Sequence, residues 1–312
     1  MEKKEYSLDI GGKTMTAEFN DWADQANGSV LLRYGNSAVL ATVVMGRESD
    51  KDYFPLSVEY EEKFYAAGAI LGSRFMRREG RPSDEAVLSG RIVDRTIRPL
   101  FPKGMKRDVQ VIISVLSIED YDTDILAVNA ASLAIATSDI PWNGPVSAVR
   151  IGIGGESDEH IVNPSYGQRS EELPPMAKMD LTVSGKDGLV NMIEVNAREV
   201  DEALLEAGLK RASEEIEKIQ TWQKEIVGAE GKQKVVFAAP AITPEIKTAF
   251  AEIIEPELKA LGGIMTKQSF GAMKSKWATE SIAKLPDLKP QMLDAYFEGR
   301  VDEYVHDLAI KE

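Results

Sequence analysis

The chain has 312 residues, of which 43% are hydrophobic and 28% charged, and its formal net charge is −14 with a pI near 4.8. This length exceeds the size of one ordinary core and suits two domains. The lack of cysteine excludes disulfides, thiolate metal sites and a cysteine nucleophile. The acidic balance argues against a protein that coats nucleic acid over its whole surface, but it leaves room for one basic channel.

The lack of cysteine is also typical of proteins in a reducing compartment. The N-terminus, MEKKEYSLDI, has no apolar core of the kind found in signal peptides. No run of about 18 apolar residues is present that would cross a membrane. We therefore expect a cytoplasmic protein without membrane contacts.

The first 200 residues predict strands arranged in hairpins, together with two helices. Alternating apolar residues flank Gly11-Gly12 and Gly35-Asn36, a pattern typical of β-hairpins. The run 109–118 is rich in β-branched residues and predicts a buried strand. Further elements are expected at these positions: helices over 83–98 and 125–137, and hairpin turns at Gly154-Gly155 and near 186–188.

Beyond Glu199 the sequence pattern becomes helical. Apolar residues recur at helical spacing as far as Ile226, and the polar segment 228–234 interrupts this helix. Thr243-Pro244-Glu245 is a helix-start signal, and the remaining residues also show helical spacing. The last helix has no stop signal, so we expect the chain to be part of a longer protein. We divide the chain into a domain of strands and helices over 1–229, a linker over 230–240 and an all-helical domain over 241–312.

Common catalytic motifs are missing from the sequence. It has neither a phosphate-binding GxxxxGK[ST] loop nor a metal-binding HExxH helix. The two histidines, His160 and His306, fall in unrelated segments, and neither stands with an acid and a nucleophile that would make a plausible triad. A histidine-based catalytic triad is therefore not expected.

The acidic run EDYDTDI, which holds Asp120, Asp122 and Asp124, resembles the start of a calcium-binding loop. Such a loop needs glycine where this chain has Ile125, and glutamate where it has Ala131. We therefore expect an exposed loop between a strand and a helix rather than a calcium site.

The stretch from Arg74 to Arg98 holds seven arginines in 25 residues. On a helical wheel, Arg91, Arg95 and Arg98 fall within about 60° of one another. We therefore expect a largely buried helix with one cationic stripe, capped at its start by Ser83. Four apolar residues occupy the rest of the circumference: Leu88, Ile92, Val93 and Ile97.

Two explanations of these arginines remain open. Four acids between Glu79 and Asp94 offer internal salt bridges, a role for which arginine is well suited. Seven cations against four acids still leave a local charge of +3, and guanidinium groups match phosphate oxygens in paired geometry. Phe75, in the loop before the helix, offers a ring on which a base could stack. Binding of phosphate or nucleic acid is therefore favoured, and structural pairing is the alternative.

The segment YAAGAILGSRFMRREGRPSDEAVLSGRIVDRTIRPLFP closely resembles the signature of the first core in the polynucleotide phosphorylase family. The block IPWNGPVSAVRIG resembles a second part of that family, and the predicted helical domain lies where the family has one. The resemblance implies an α+β fold. It consists of an RNase-PH-type core of βαβ sheets with helices, like domain 2 of ribosomal protein S5, followed by a small all-α domain.

The resemblance also implies an activity. By this resemblance, members of the family form homotrimeric rings, and single-stranded RNA enters the central channel of the ring. They degrade it from the 3′ end with inorganic phosphate and release nucleoside diphosphates. The resemblance further implies Mg²⁺ or Mn²⁺ as cofactor, held by a second core beyond this sequence, and other RNA-degradation proteins as partners.

The matching motif implies RNA contacts within the arginine segment. In the family this loop grips RNA in the channel, so Phe75, Arg77 and Arg78 are expected to contact it. Met76 replaces the second phenylalanine of the loop, which would remove part of that grip. The same block contributes four residues that are expected to contact RNA or to support the site: Arg81, Arg91, Arg95 and Arg98.

The family's metal-binding motif, in its second core, is an aspartate followed after five residues by Asp-x-Lys. Asp180 matches the second aspartate, whereas Pro174 and Thr182 stand at the other two positions. The glycine-serine loop that takes phosphate is also replaced, by DYDTDI. We therefore expect no catalytic residue and no metal site in this chain.

Three hypotheses about function result. In the first, the chain is the N-terminal part of a phosphorolytic 3′→5′ exoribonuclease and supplies channel contacts and ring assembly. In the second, it is a stand-alone, non-catalytic ring subunit that binds RNA and a catalytic partner. The third, an independent one-core nuclease, is disfavoured by Pro174 and Thr182. The missing stop signal in the last helix favours the first hypothesis over the second.

Overall fold

The computed structural model divides into two compact units, Met1–Phe237 and Ala238–Glu312. In the part of the chain that it describes, no helix combines the length and the apolar character needed to span a membrane. The described residues are 3–51, 53–70, 72, 80–154, 158–169, 177–237, 242–262, 265–286 and 290–311.

Six strands form the first sheet, in the order β1-β2-β3-β4-β6-β5. Neighbours are antiparallel, except that β5 and β6 run parallel. The turns predicted at Gly11-Gly12 and Gly35-Asn36 are confirmed, and Gly11, Gly12 and Gly35 have a positive φ that glycine adopts without steric cost. The strands are β1 (Lys4–Ile10), β2 (Lys13–Phe19), β3 (Gly28–Tyr34), β4 (Ser37–Glu48), β5 (Leu56–Glu62) and β6 (Arg107–Ser117).

The first helix, α1 (Asp84–Ile97), connects β5 to β6 and packs on β5. The Ser83 hydroxyl accepts a hydrogen bond from the Ala86 amide at 3.1 Å, which confirms the predicted cap. Gly90 faces β5, and a Cβ there would lie 3.5 Å from the Cβ of Tyr60. The helix therefore lies close to the strand backbone.

The second helix, α2 (Thr123–Thr137), is the centre of the first unit, and all its residues except Asp124 are buried. It packs against β3 and β4 on one side and against β7 of the second sheet on the other. On β3, a Cβ at Gly28 would lie only 2.2 Å from the Ala134 carbonyl oxygen. The helix backbone therefore meets the strand backbone directly.

Four antiparallel strands form the second sheet, in the order β10-β9-β7-β8. The hairpin near 186–188 is confirmed, and both Asp187 and Gly188 have a positive φ. β7 and β8 also pair as predicted, although Gly155 of their connection lies outside the described residues. The strands are β7 (Ser147–Gly154), β8 (His160–Val162), β9 (Ala177–Lys186) and β10 (Leu189–Ala197).

The long predicted helix is confirmed as α3 (Glu202–Glu230), which packs across β7 and β9. A buried amide fixes it to α2, because the Ser132 hydroxyl donates to Gln223 Oε1 at 2.7 Å. Beyond α3, residues 231–237 lie along the C-terminal end of α2, where Lys234 Nζ donates to the Ile135 carbonyl at 2.7 Å.

The second unit is helical, as predicted. Its core centres on Phe250, Trp277 and Phe297, which are almost completely buried. The Trp277 indole donates to the Leu293 carbonyl at 2.8 Å, so this buried N–H is satisfied. The helices are α4 (Pro244–Ile253), α5 (Glu255–Leu261), α6 (Lys267–Lys284) and α7 (Pro290–Lys311).

Candidate nucleic-acid interface

The outer face of α1 presents part of the arginine segment to solvent. Arg91 and Arg95 are exposed on this face, and Arg81 is exposed just before the helix. In the part of the chain that the structure describes, neither Arg81 nor Arg91 pairs with a carboxylate. The remaining predicted RNA contacts, Phe75, Arg77 and Arg78, lie outside the described residues.

Arg98 differs from the other two arginines of the stripe because its guanidinium is hydrogen-bonded to several groups of the protein itself. Its Nε and Nη2 donate to the two carboxylate oxygens of Asp94 at 2.9 and 2.6 Å. Its Nη1 and Nη2 also donate to the carbonyls of Phe54 and Leu56 at 3.2 and 3.1 Å. Arg98 therefore anchors the end of α1 to the start of β5 and acts as a support.

Arg95 occupies an intermediate position. Its Nη1 lies 3.3 Å from Glu194 Oε1 on β10, and both side chains are about half exposed. Such an exposed pair contributes little free energy, because water and salt screen it. Structural pairing thus explains Arg98 and in part Arg95, whereas it leaves Arg91 available for an external anion.

The expectation that α1 is largely buried was wrong. Val87 and Leu88 are 51% and 60% exposed, on the same face as the arginines. The helix packs on β5 with one side only, so its outer face remains in contact with solvent. The wheel grouped Leu88 with the buried apolar positions although it lies beside the arginines, and it contained no information about which side meets the sheet.

A groove of about 520 Å³ runs between α1 and β5. Arg91 lines it together with acids of both elements, among them Glu59, Glu61 and Asp94. At the end of β5, burial and the neighbouring Glu85 raise the pKa of Glu62. The groove therefore brings Arg91 close to three acids, so most of the charged side chains that line it are negative.

A second charged site lies at the N-terminal end of α2. Arg150 on β7 contacts three aspartates: its Nε lies 2.7 Å from Asp122 Oδ2, its Nη2 lies 2.8 Å from Asp124 Oδ2, and its Nη1 lies 2.8 Å from Asp180 Oδ2. Arg169 also contacts Asp122 and Asp180, at 2.6 and 3.3 Å. We call these five residues the charge cluster.

The loop that ends in EDYDTDI was expected to be exposed, and for Asp122 and Asp124 this was wrong. Both side chains are largely buried, because each carboxylate contacts a guanidinium inside the fold. Burial and the neighbouring Asp124 raise the pKa of Asp122 to about 6, although Arg150 and Arg169 act in the opposite direction. Burial costs are high for unpaired charges, so the ion pairs are needed to keep these groups inside.

Strand register explains how the charge cluster forms. Arg150 pairs with Thr182 in the β7–β9 ladder, and Gly152 pairs with Asp180. Arg150 and Asp180 therefore lie diagonally across neighbouring strands on one face of the sheet. One feature of the sequence indicates the charge cluster. Arg150 is the only charged residue in the mostly apolar strand SAVRIGIG, and a buried charge requires partners.

The charge cluster does not fit a divalent metal. The Asp180 carboxylate is held by two guanidinium groups, and like-charged guanidinium groups would repel a cation at this place. Among the described residues, no group of three histidines, cysteines or acids has the arrangement of a metal site. Thr182, at the position of the family's lysine, is buried in β9, and Pro174 lies outside the described residues.

The two sheets and their helices form an α+β fold of the RNase PH type. Two family models match the chain: domain 1 of the 3′ exoribonuclease family over residues 11–141, and domain 2 of the same family over residues 144–215. The chain therefore belongs to the 3′ exoribonuclease family.

Named relatives are polyribonucleotide nucleotidyltransferases. The chain is 39% identical over 297 residues to that of Halothermothrix orenii, which covers 95% of this chain and 39% of the relative. It is 44% identical over 259 residues to that of Thermomicrobium roseum, covering 82% and 32%. With that of Bacillus cytotoxicus the identity is 35% over 314 residues, covering 100% and 42%. The chain thus spans about two fifths of these relatives' length or less.

Among solved structures, the fold is similar to that of rice (Oryza sativa) Rrp46, with a TM-score of 0.54 and 17% sequence identity. The match covers 68% of this chain and 94% of that one. At this identity the likeness concerns the fold alone.

Proposed function

We propose that the chain is the RNA-gripping, non-catalytic part of a polyribonucleotide nucleotidyltransferase. That enzyme degrades single-stranded RNA processively from the 3′ end by phosphorolysis and releases nucleoside diphosphates. The named relatives support the activity. One observation supports the assignment of RNA binding, and not of catalysis, to this chain. Arg91 is exposed and without a carboxylate partner among the described residues, whereas Asp180 is enclosed by two arginines.

In this proposal, inorganic phosphate and Mg²⁺ or Mn²⁺ bind to a second core outside this sequence. The arginine segment, with Phe75, Arg77, Arg78 and Arg81 as well as Arg91 and Arg95, lines the path of the RNA. Three chains assemble into a ring in the cytoplasm, and proteins of RNA degradation dock on it. Contacts to the RNA backbone dominate binding, which is therefore largely independent of sequence and sensitive to salt.

The test combines activity and binding. The 312-residue chain, incubated with single-stranded RNA, phosphate and Mg²⁺, is expected to release no nucleoside diphosphate, and measurable release would overturn its non-catalytic role. In a fluorescence binding assay, Arg91→Ala is expected to weaken binding and to lower the slope of log affinity against log salt by about 0.7, the value for one single-strand phosphate contact.

Lys210→Ala provides the matched control, because it removes one exposed positive charge from α3 instead of α1. This variant should retain the wild-type slope. Equal slopes for wild type and Arg91→Ala would show that Arg91 makes no phosphate contact. A wild-type chain without salt-dependent RNA binding would overturn the proposal.

A further inference from the structure

Two aromatic side chains are displayed at the end of β5. The 3₁₀ turn Phe64–Ala67 follows this strand, and its Phe64 and Tyr65 side chains are 48% and 60% exposed. The ring of Tyr65 presents a flat apolar surface of the kind on which a nucleobase stacks.

The backbone below these rings is fixed. Ala66 is buried, its amide donates to the Lys63 carbonyl at 2.8 Å, and its carbonyl accepts from the Ile118 amide at 2.9 Å. Gly68 closes the turn with a φ of 68°, and its amide donates to the Tyr65 carbonyl at 3.0 Å. Because the turn is already ordered, the stacking of a ligand on Tyr65 would cost the protein little backbone conformational entropy.

The turn lies at the same end of the fold as the start of α1. Arg98, at the end of α1, contacts the carbonyl of Leu56 at the beginning of β5, so the helix and the strand run in opposite directions. Glu85, in the first turn of α1, correspondingly lies near Glu62 at the end of β5. Tyr65 therefore lies at the end of the fold where α1 begins, a few residues before Arg91 along the helix axis.

We propose that Tyr65 is a base-stacking platform for the single-stranded RNA that the arginines bind. This inference rests on the proposed function. Glu61 and Glu62 precede the turn, and Lys63, the residue between them and Phe64, pairs with Glu61 at 2.8 Å. The net charge beside the turn is therefore negative and would repel a phosphate placed there. A stacked base carries no charge and tolerates these acids. Tyr65 thus adds affinity without adding a phosphate contact.

The experiment measures binding of a fluorescently labelled single-stranded oligoadenylate to the full chain at several salt concentrations. Tyr65→Ala is expected to weaken binding about fivefold or more at every salt concentration. Its slope of log affinity against log salt should equal that of wild type, because no phosphate contact is lost. Tyr65→Phe and Tyr65→Trp should bind as wild type does, because each retains an aromatic face.

Tyr53→Ala is the matched control, because Tyr53 is 64% exposed and lies before the opposite end of β5. This variant should bind RNA as wild type does. If wild type binds in a salt-dependent way and Tyr65→Ala binds equally well, the platform is wrong while the proposed function stands. If wild type does not bind RNA, the proposed function itself fails.

Light scattering distinguishes a protein contact from an RNA contact at the same place. A change in oligomeric state for both Tyr65→Ala and Tyr65→Trp would assign the ring to an interface between protein chains and overturn the proposal. An unchanged state together with the expected loss of affinity would support it.

Discussion

The guanidinium of Arg150 lies 2.8 Å from the carboxylate of Asp180, the residue that matches one metal-binding aspartate of the family motif. An aspartate held in this way stabilises its arginine and not a metal ion. Arg169, in a neighbouring turn, contacts the same carboxylate, so Asp180 forms ion pairs with two guanidinium groups. In this core, the charge cluster therefore engages Asp180 in internal ion pairs.

Removing Arg150 should destabilise the fold strongly. Arg150→Ala leaves the buried carboxylates of Asp122, Asp124 and Asp180 without their main partner, and breaking such a buried pair costs about 3 kcal/mol or more. The free energy of unfolding from urea titration measures this loss. Arg95→Ala removes an exposed arginine with one carboxylate partner and should change it by less than about 1 kcal/mol. A loss of similar size in both variants would contradict a cooperative cluster.

The charge cluster should also give stability a distinct dependence on pH. The folded-state pKa of Asp122 is raised to about 6 from 3.8, so the folded protein binds more protons than the unfolded chain between these values. This contribution to stability is present below pH 4 and is lost as the pH rises through 6. Asp122→Asn removes it, because asparagine does not titrate.

The Asp122→Asn variant should therefore gain about 1–3 kcal/mol relative to wild type between pH 4 and pH 7. Urea titrations of both proteins at the two pH values measure the gap, and other titrating groups cancel in the comparison. A gap that changes in the opposite direction would mean that attraction by Arg150 and Arg169 outweighs the cost of burying this carboxylate.

The local structure was largely predictable from the sequence. The glycines of the hairpin turns, Ser83 as a helix cap and the apolar periodicity of α3 each depend on neighbouring residues only. The charge cluster was not predictable in this way, because Arg150 and Asp180 are 30 residues apart in the sequence. Their contact depends on the register of β7 against β9, which hairpin patterns alone do not determine.

The candidate RNA interface was predictable in composition but not in detail. The sequence identified the arginine stripe of α1, yet it did not distinguish the bound Arg98 from the available Arg91. That difference depends on the carbonyls of Phe54 and Leu56, which β5 brings to the end of the helix. The exposed ring of Tyr65 was missed because no local pattern shows which aromatic residues remain outside a core.

The arginines of α1 should separate into one that stabilises the fold and one that binds RNA. Arg98→Ala removes bonds to Asp94 and to two carbonyls, and because the side chain is partly exposed the expected loss of unfolding free energy is about 1–2 kcal/mol. Its salt slope in RNA binding should stay at the wild-type value. Arg91→Ala should show the reverse, with a changed slope and unchanged stability. Identical behaviour of the two variants would contradict this separation.

Two glycine substitutions should have opposite effects on stability. At Gly28 an added Cβ would lie 2.2 Å from the Ala134 carbonyl oxygen, so Gly28→Ala would force α2 away from β3 and cost about 2 kcal/mol or more. At Gly271, within α6, an added Cβ meets no described atom within 4 Å. Gly271→Ala should therefore stabilise the helix by about 0.5–1 kcal/mol, because alanine loses less backbone entropy on folding. Urea titration of both variants measures the two changes. A stable Gly28→Ala protein would show that α2 and β3 are not in direct backbone contact.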